Sequence, residues 1–118
     1  MDNMRRNGKA NDAKYAFNVT FTPTGKPVMP ATVDERVAGV GLLRDYRLEQ
    51  LGPGSYRLQA LPEPGGDIRG LRGAVLDALV DLYGMRGEFA IDLILEDGEL
   101  MPEVPDRLNR IRRADGWA

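Results

Sequence analysis

Residues 43–61 read LRDYRLEQLGPGSYRLQAL, and this stretch decides the fold. Tyr46 and Leu48 share one face of an extended segment with Arg44, while Asp45, Arg47 and Glu49 point away. Gly52, Pro53 and Gly54 form a tight turn. Residues 55–61 then return with Tyr56, Leu58 and Ala60 on one face. Two alternating runs around a Gly-Pro-Gly corner predict a β-hairpin.

Toward the C-terminus, Pro62, Pro64, Gly65 and Gly66 break the chain. Asp67 is an N-cap candidate, and Ile68, Leu71, Val75, Leu79 and Leu82 recur at spacings of three and four. The spacing predicts a long helix that ends near Gly84. Residues 88–96 alternate again through Phe89, Ile91, Leu93 and Leu95, and Asp97-Gly98 turns. A short basic helix is expected after Pro105, with Leu108 and Ile111 inward and Arg107, Arg110, Arg112 and Arg113 around it.

Toward the N-terminus, Pro30 and Thr32 open a short helix. Val33, Val37 and Ala38 repeat at helical spacing, Asp34 and Glu35 are expected in the first turn, and Gly39 or Gly41 ends it. Residues 23–27 make a turn. Before it, Tyr15, Phe17, Val19 and Phe21 alternate with polar residues, which predicts a half-buried strand over 15–22. Residues 1–14 hold Arg5, Arg6, Lys9 and Lys14 and little to bury, so a mobile leader is expected ahead of one domain over 15–118. The predicted order is β-α-β-β-α-β. That is the ferredoxin-like α+β arrangement: a four-stranded antiparallel sheet with two helices on one face. The expected core is Phe17, Val19, Val37, Tyr46, Leu48, Leu58, Leu71, Val75, Leu79, Ile91 and Leu93.

Composition bounds the chemistry. The 118 residues leave room for one domain. Hydrophobic residues are 42% and charged residues 29%, the balance of an ordinary globular chain. There is no cysteine and no histidine. Disulfides, thiol nucleophiles, Cys/His zinc sites and Ser-His or Cys-His catalysis are therefore excluded, and any general acid or base is a carboxylate, lysine or tyrosine. No apolar run approaches twenty residues and no export signal is visible, so a cytoplasmic protein is expected. Net charge is −2, which argues against a nucleic-acid binder.

Few motifs carry chemistry on their own. Gly52-Pro53-Gly54 and Gly65-Gly66 lack the spacing of a phosphate loop and read as a hairpin turn and a helix lead-in. Asp92, Glu96, Asp97, Glu99 and Glu103 gather near one strand end, but their spacing matches no calcium loop, so no metal site is expected. Tyr15, Phe17, Tyr56 and Phe89 are the aromatics available to a sheet-face RNA reader. No basic-Gly-aromatic run accompanies them.

The stretch over 25–37 adds a family signal. Gly25, Val28, Pro30, Val33, Glu35 and Val37 follow the pattern Gly-x-x-Val-x-Pro-x-x-apolar-acidic-Glu-x-apolar. This resembles the start of the C-terminal domain of adenylate-forming ligases of the phenylacetate–CoA ligase and capsule-biosynthesis type. Residues 41–53 look like that family's next strand and hairpin, and the resemblance extends over about residues 18–113. It implies a small lid that works on a large ATP-binding domain. Such enzymes turn a carboxylate into an acyl-adenylate and pass the acyl group to a thiol such as coenzyme A. A lysine in a Gly-Lys tail motif serves the first step.

The tail here, residues 102–111, has no Gly-Lys. Arg107 falls nearest the lysine position, and Lys26 is a second candidate cation. The hinge aspartate position is Asn18. The large domain is absent from these 118 residues, so the chain alone is not expected to be a ligase. Two readings follow from the resemblance. One is a free-standing lid partner of a separate large adenylation subunit, binding no cofactor alone while the complex uses ATP, Mg and coenzyme A or a carrier thiol. The other is a non-catalytic protein-binding or regulatory module on the same fold. An open edge strand leaves a homodimer conceivable. Trp117 either packs back onto the body or serves a partner.

Overall fold

A computed structural model describes residues 16–95 and 107–114. The fold is α+β, with two helices, a four-stranded mixed sheet and a separate two-stranded sheet. The expected hairpin forms as β3 (Leu43–Gly52) and β4 (Ser55–Pro62), paired antiparallel with Leu48 opposite Leu58. The register steps once at each end of β3, and the step between Leu43 and Asp45 is a bulge. It turns Arg44 to solvent, against the expectation that Arg44 shares the face of Tyr46 and Leu48.

Helix α1 spans Pro30–Ala38. Proline suits its first position because no N–H is needed there. Gly39 closes it through an N–H bond to Glu35 O at 3.2 Å. Asp34 and Glu35 fall beyond the first turn, and Asp34 instead accepts the Tyr46 hydroxyl at 2.7 Å. Helix α2 spans Ile68–Tyr83, with the Asp67 carboxylate accepting from Arg69 N at 3.0 Å as a side-chain cap. Gly84 ends it at φ 90°, a left-handed value that favours glycine. Leu71, Val75, Ala78, Leu79 and Tyr83 are its buried stripe, while Ile68 at its start is exposed.

Strand β5 (Glu88–Leu93) follows α2 and pairs parallel with β4, with Leu58 opposite Ile91. The other neighbour of β3 is β6 (Ile111–Arg113), also parallel, with Leu48 opposite Ile111. The sheet order is β5-β4-β3-β6. Tyr46, Leu48, Tyr56, Leu58, Ala60, Ile91 and Ile111 are buried in one cluster with Val33 and Val37 of α1 and the α2 stripe. Both helices therefore cover one sheet face.

This corrects the all-antiparallel expectation. The β4–α2–β5 crossover joins adjacent strands, with no first strand inserted between them. Residues 16–22 supply no strand to the four-stranded sheet. Ala16–Asn18 is a 3-10 turn, and β1 (Thr20–Phe21) pairs only with β2 (Pro27–Val28). The inward face of this segment is also reversed. Phe17 is 77% exposed and Val19 half-buried, whereas Asn18 and Thr20 are buried. Asn18 Nδ2 donates to Ile111 O at 2.6 Å, and Thr20 Oγ1 lies 2.7 Å from the Tyr83 hydroxyl. Waiting partners let these polar groups go inside.

Gln50 explains why β1 stays outside the sheet. Its side chain is fully buried. Its Oε1 accepts Phe21 N at 2.8 Å and its Nε2 donates to Phe21 O at 3.1 Å, which imitates a neighbouring strand. Nε2 also reaches Gly52 O at 3.2 Å. Gln50→Leu is expected to cost about 1–3 kcal/mol, because the part-buried Phe21 N–H and C=O lose their partner. Urea denaturation checks the magnitude. Faster amide exchange at Phe21, with Leu58 unchanged, checks the place.

The expected basic helix after Pro105 is a 3-10 turn over Arg107–Arg110 that runs into β6, so Ile111 is inward as a strand residue. Pro105 itself, residues 1–15, residues 96–106 and Trp117 lie outside the described residues. Among the described residues no helix is long and apolar enough to cross a membrane.

Candidate functional site

The two candidate cations lie toward opposite ends of β3. Arg107 opens the turn that leads to Arg110, which pairs with Asp45 at the start of β3. Lys26 is exposed in the β1–β2 turn, where its N–H donates to Thr22 Oγ1 at 3.0 Å. That turn hangs on Gln50, near the other end of the strand. Asp45 and Gln50 are five residue steps apart along an extended strand, about 17 Å. The backbones of Arg107 and Lys26 are therefore placed toward opposite ends of β3.

What holds the Arg107 turn is the Arg110–Asp45 pair. Arg110 Nε donates to Asp45 Oδ1 at 2.6 Å, and the side chains are only 14% and 16% exposed. The same oxygen accepts Tyr46 N at 2.8 Å. Arg110 Nη1 is buried with no hydrogen-bond partner among the described residues. Periodicity missed this pair, because Asp45 reads as a solvent-facing charge and Arg110 as one of four arginines on a helix. Asp45→Ala is expected to cost about 2 kcal/mol. That is less than the 3–5 kcal/mol typical of a broken, fully buried pair, because both groups keep some water. A thermal-melt cycle with Arg110→Met and the double variant checks it. The double variant should be more stable than Asp45→Ala alone.

The far end of β3 carries an open cleft of about 410 Å3. Phe21, Thr22, Pro23, Gln50, Pro53 and Arg113 line it. The Arg113 guanidinium lies 5.6 Å from the centre of the Phe21 ring, a cation–π distance. Arg113 Nη2 donates to Ala16 O at 3.2 Å, which ties β6 to the first turn. A smaller cleft, about 200 Å3, lies beside Arg44, Glu63, Gly65, Gly66 and Ile68. Gly66 N donates to Glu63 O at 3.1 Å, and the Asp67 carboxylate takes a first-turn amide of α2. These amides serve the loop itself, as the helix lead-in reading expects.

The other motifs are placed as follows. Of the acidic group, Asp92 is described and pairs with Arg57 at 2.8 Å; Glu96, Asp97, Glu99 and Glu103 lie outside the described residues. Tyr56 and Phe89 are on the helix-covered side of the sheet, where Tyr56 stacks on Tyr83 at 4.1 Å and on Phe89 at 5.4 Å. The open face presents Arg47, Glu49, Arg57, Gln59 and Asp92, with no aromatic stacking platform among the described residues.

Burial pushes the Tyr56 hydroxyl up to about 12, and it pushes Tyr83 up as well. Tyr56 donates to Phe21 O, so its neutral form is the one the fold uses. The ordinary tyrosine value is about 10. An upward shift means stability is intact below pH 10 and is lost as pH rises from 10 toward 12. Tm is expected to fall over that window, and Tyr56→Phe should flatten the fall. Spectrophotometric titration at the phenolate band checks the ionisation.

No protein family, curated protein or solved structure matches the chain.

Proposed function

We propose that this chain is a lid-like domain of an ATP-dependent carboxylate-activating enzyme, and that it acts with a separate large ATP-binding subunit. The observation that carries the reading is the anchoring of the arginine tail. Arg107 begins a turn that ends in the part-buried Arg110–Asp45 pair and the β6 strand on β3. The backbone of Arg107 is thereby tied to the body of the domain, and the reading assigns its charge to whatever docks there.

The order of elements supports the same reading. A turn and short helix precede a long hairpin, a long helix, a strand and a basic tail. The α1–β3–β4–α2–β5 order along the chain is that of a ferredoxin-like arrangement after its first strand, although β5 here pairs directly with β4, and the proposed kinship rests on that order.

In the proposed complex the partner binds ATP, Mg and the acid. Carboxylate attacks the α-phosphorus and pyrophosphate leaves, giving the acyl-adenylate. Arg107 stabilises charge that develops on the carboxylate and α-phosphate oxygens. Coenzyme A or a carrier thiol then takes the acyl group and AMP is released. Arginine keeps the charge of the lysine it replaces but spreads it over a planar fork.

Carboxylate-dependent ATP–pyrophosphate exchange by a candidate large subunit, with and without this chain, is the test. Exchange that appears only on adding the chain supports the lid. An active large subunit that the chain leaves unchanged over a broad acid panel overturns it. That result leaves a non-catalytic binding module.

A further inference from the structure

We propose that the cleft at the far end of β3 is an intramolecular docking site for the indole of Trp117. The argument starts from where the described chain stops. Arg113 is opposite Gln50 in the β3–β6 register, and Ala114 N donates to Gln50 O at 2.8 Å. At Ala114 the axis of β6 is therefore parallel to β3 and aimed at the end of that strand, where Pro53 lines the cleft. Trp117 is three residues beyond Ala114, at most about 10 Å of extended chain.

The lining suits an indole. Phe21 offers a ring, Pro23 and Pro53 offer flat apolar edges, and Arg113 offers a guanidinium already seated over Phe21. Aromatic faces pack on such rings, and tryptophan is the best cation–π partner of the side chains. At about 410 Å3 the cleft is in the range of small-ligand sites and has room for one indole. Connectivity makes Trp117 the favoured occupant, because a three-residue tether from Ala114 gives it a high effective concentration at the opening. The proposal stands independently of the lid reading.

Trp117 is the single tryptophan, so the fluorescence of the whole chain reports on it alone. The expected result is blue-shifted emission, protection from acrylamide, no change on dilution, and nuclear Overhauser contacts from the indole to Pro53 and Pro23. Pro53→Ala should shift emission to the red while circular dichroism is kept, and Pro23→Ala repeats the test if the hairpin corner does not tolerate the first change. Emission and quenching like free indole overturn the proposal. So does shielding lost on dilution, which means a second copy fills the cleft. Shielding without contacts to the lining residues overturns it too, by placing the indole elsewhere.

Discussion

Arg107→Ala is expected to lower the chain-dependent ATP–pyrophosphate exchange rate about 10²–10³-fold, the usual cost of losing one charge-stabilising group in a transition state. Arg107→Lys should recover most of the rate if a point charge on this tail is all the step needs. If the planar fork is used, lysine recovers little. Lys26→Ala should leave the rate within about twofold, a barrier change of roughly 0.4 kcal/mol, because its turn hangs from the other end of β3. Circular dichroism on each variant separates a lost cation from a lost fold. A rate unchanged by Arg107→Ala removes this residue from the chemistry, even where the chain itself is needed for exchange. Saturating the acid and ATP sharpens the reading: a loss in kcat with KM kept places the effect in the transition state.

Those elements whose information is local were legible. The Gly-Pro-Gly corner, the alternation through Tyr46, Leu48, Tyr56 and Leu58, and the Asp67 cap with the Leu71–Val75–Leu79 stripe all appear where periodicity puts them. What failed was what depends on a distant partner. The apolar alternation of Phe17 and Val19 competes with Asn18 and Thr20, and the polar pair wins because Ile111 O and the Tyr83 hydroxyl are there to bond them. No window of local sequence contains those partners. One clue was present: Gln50 continues the inward series after Tyr46 and Leu48. A buried amide on a core face signals a backbone to be satisfied, and that backbone is Phe21. Arg110 gave no comparable clue, because a four-arginine tail has the same composition as a 3-10 turn and strand or as a helix. Its pairing with Asp45 is a tertiary fact, 65 residues apart in sequence. Of the proposed site, the sequence offered Arg107 as a candidate, while the Arg110–Asp45 pair at the end of its turn was not legible.

Leu48→Ala is expected to destabilise the domain by about 2–5 kcal/mol, as buried leucine truncations do. Leu48 is fully buried and is the one residue placed opposite both Leu58 of β4 and Ile111 of β6, beneath the two helices. Removing it empties the seam where the hairpin, the tail strand and the helices meet, and none of these can collapse into the gap without moving the others. Domains of this size have only about 5–15 kcal/mol in all, so Tm should fall by roughly 10 °C or more. Leu76→Ala on α2, at a position 40% exposed, should stay within about 0.5 kcal/mol. A Leu48→Ala cost equal to that of Leu76→Ala contradicts the register, because a one-residue slip of β3 turns Leu48 outward and Glu49 inward. The variant also bears on the tail. Three-residue β6 is held in part by Ile111 in this seam, beside its ladder to β3, Asn18 on its carbonyl and the Arg113 bond to Ala16 O. Amide protection at residues 111–113 should therefore drop more than at Leu58 and Ile91. A loosened β6 releases the turn that begins at Arg107, so packing under Leu48 and the proposed placement of the cation are one coupled property.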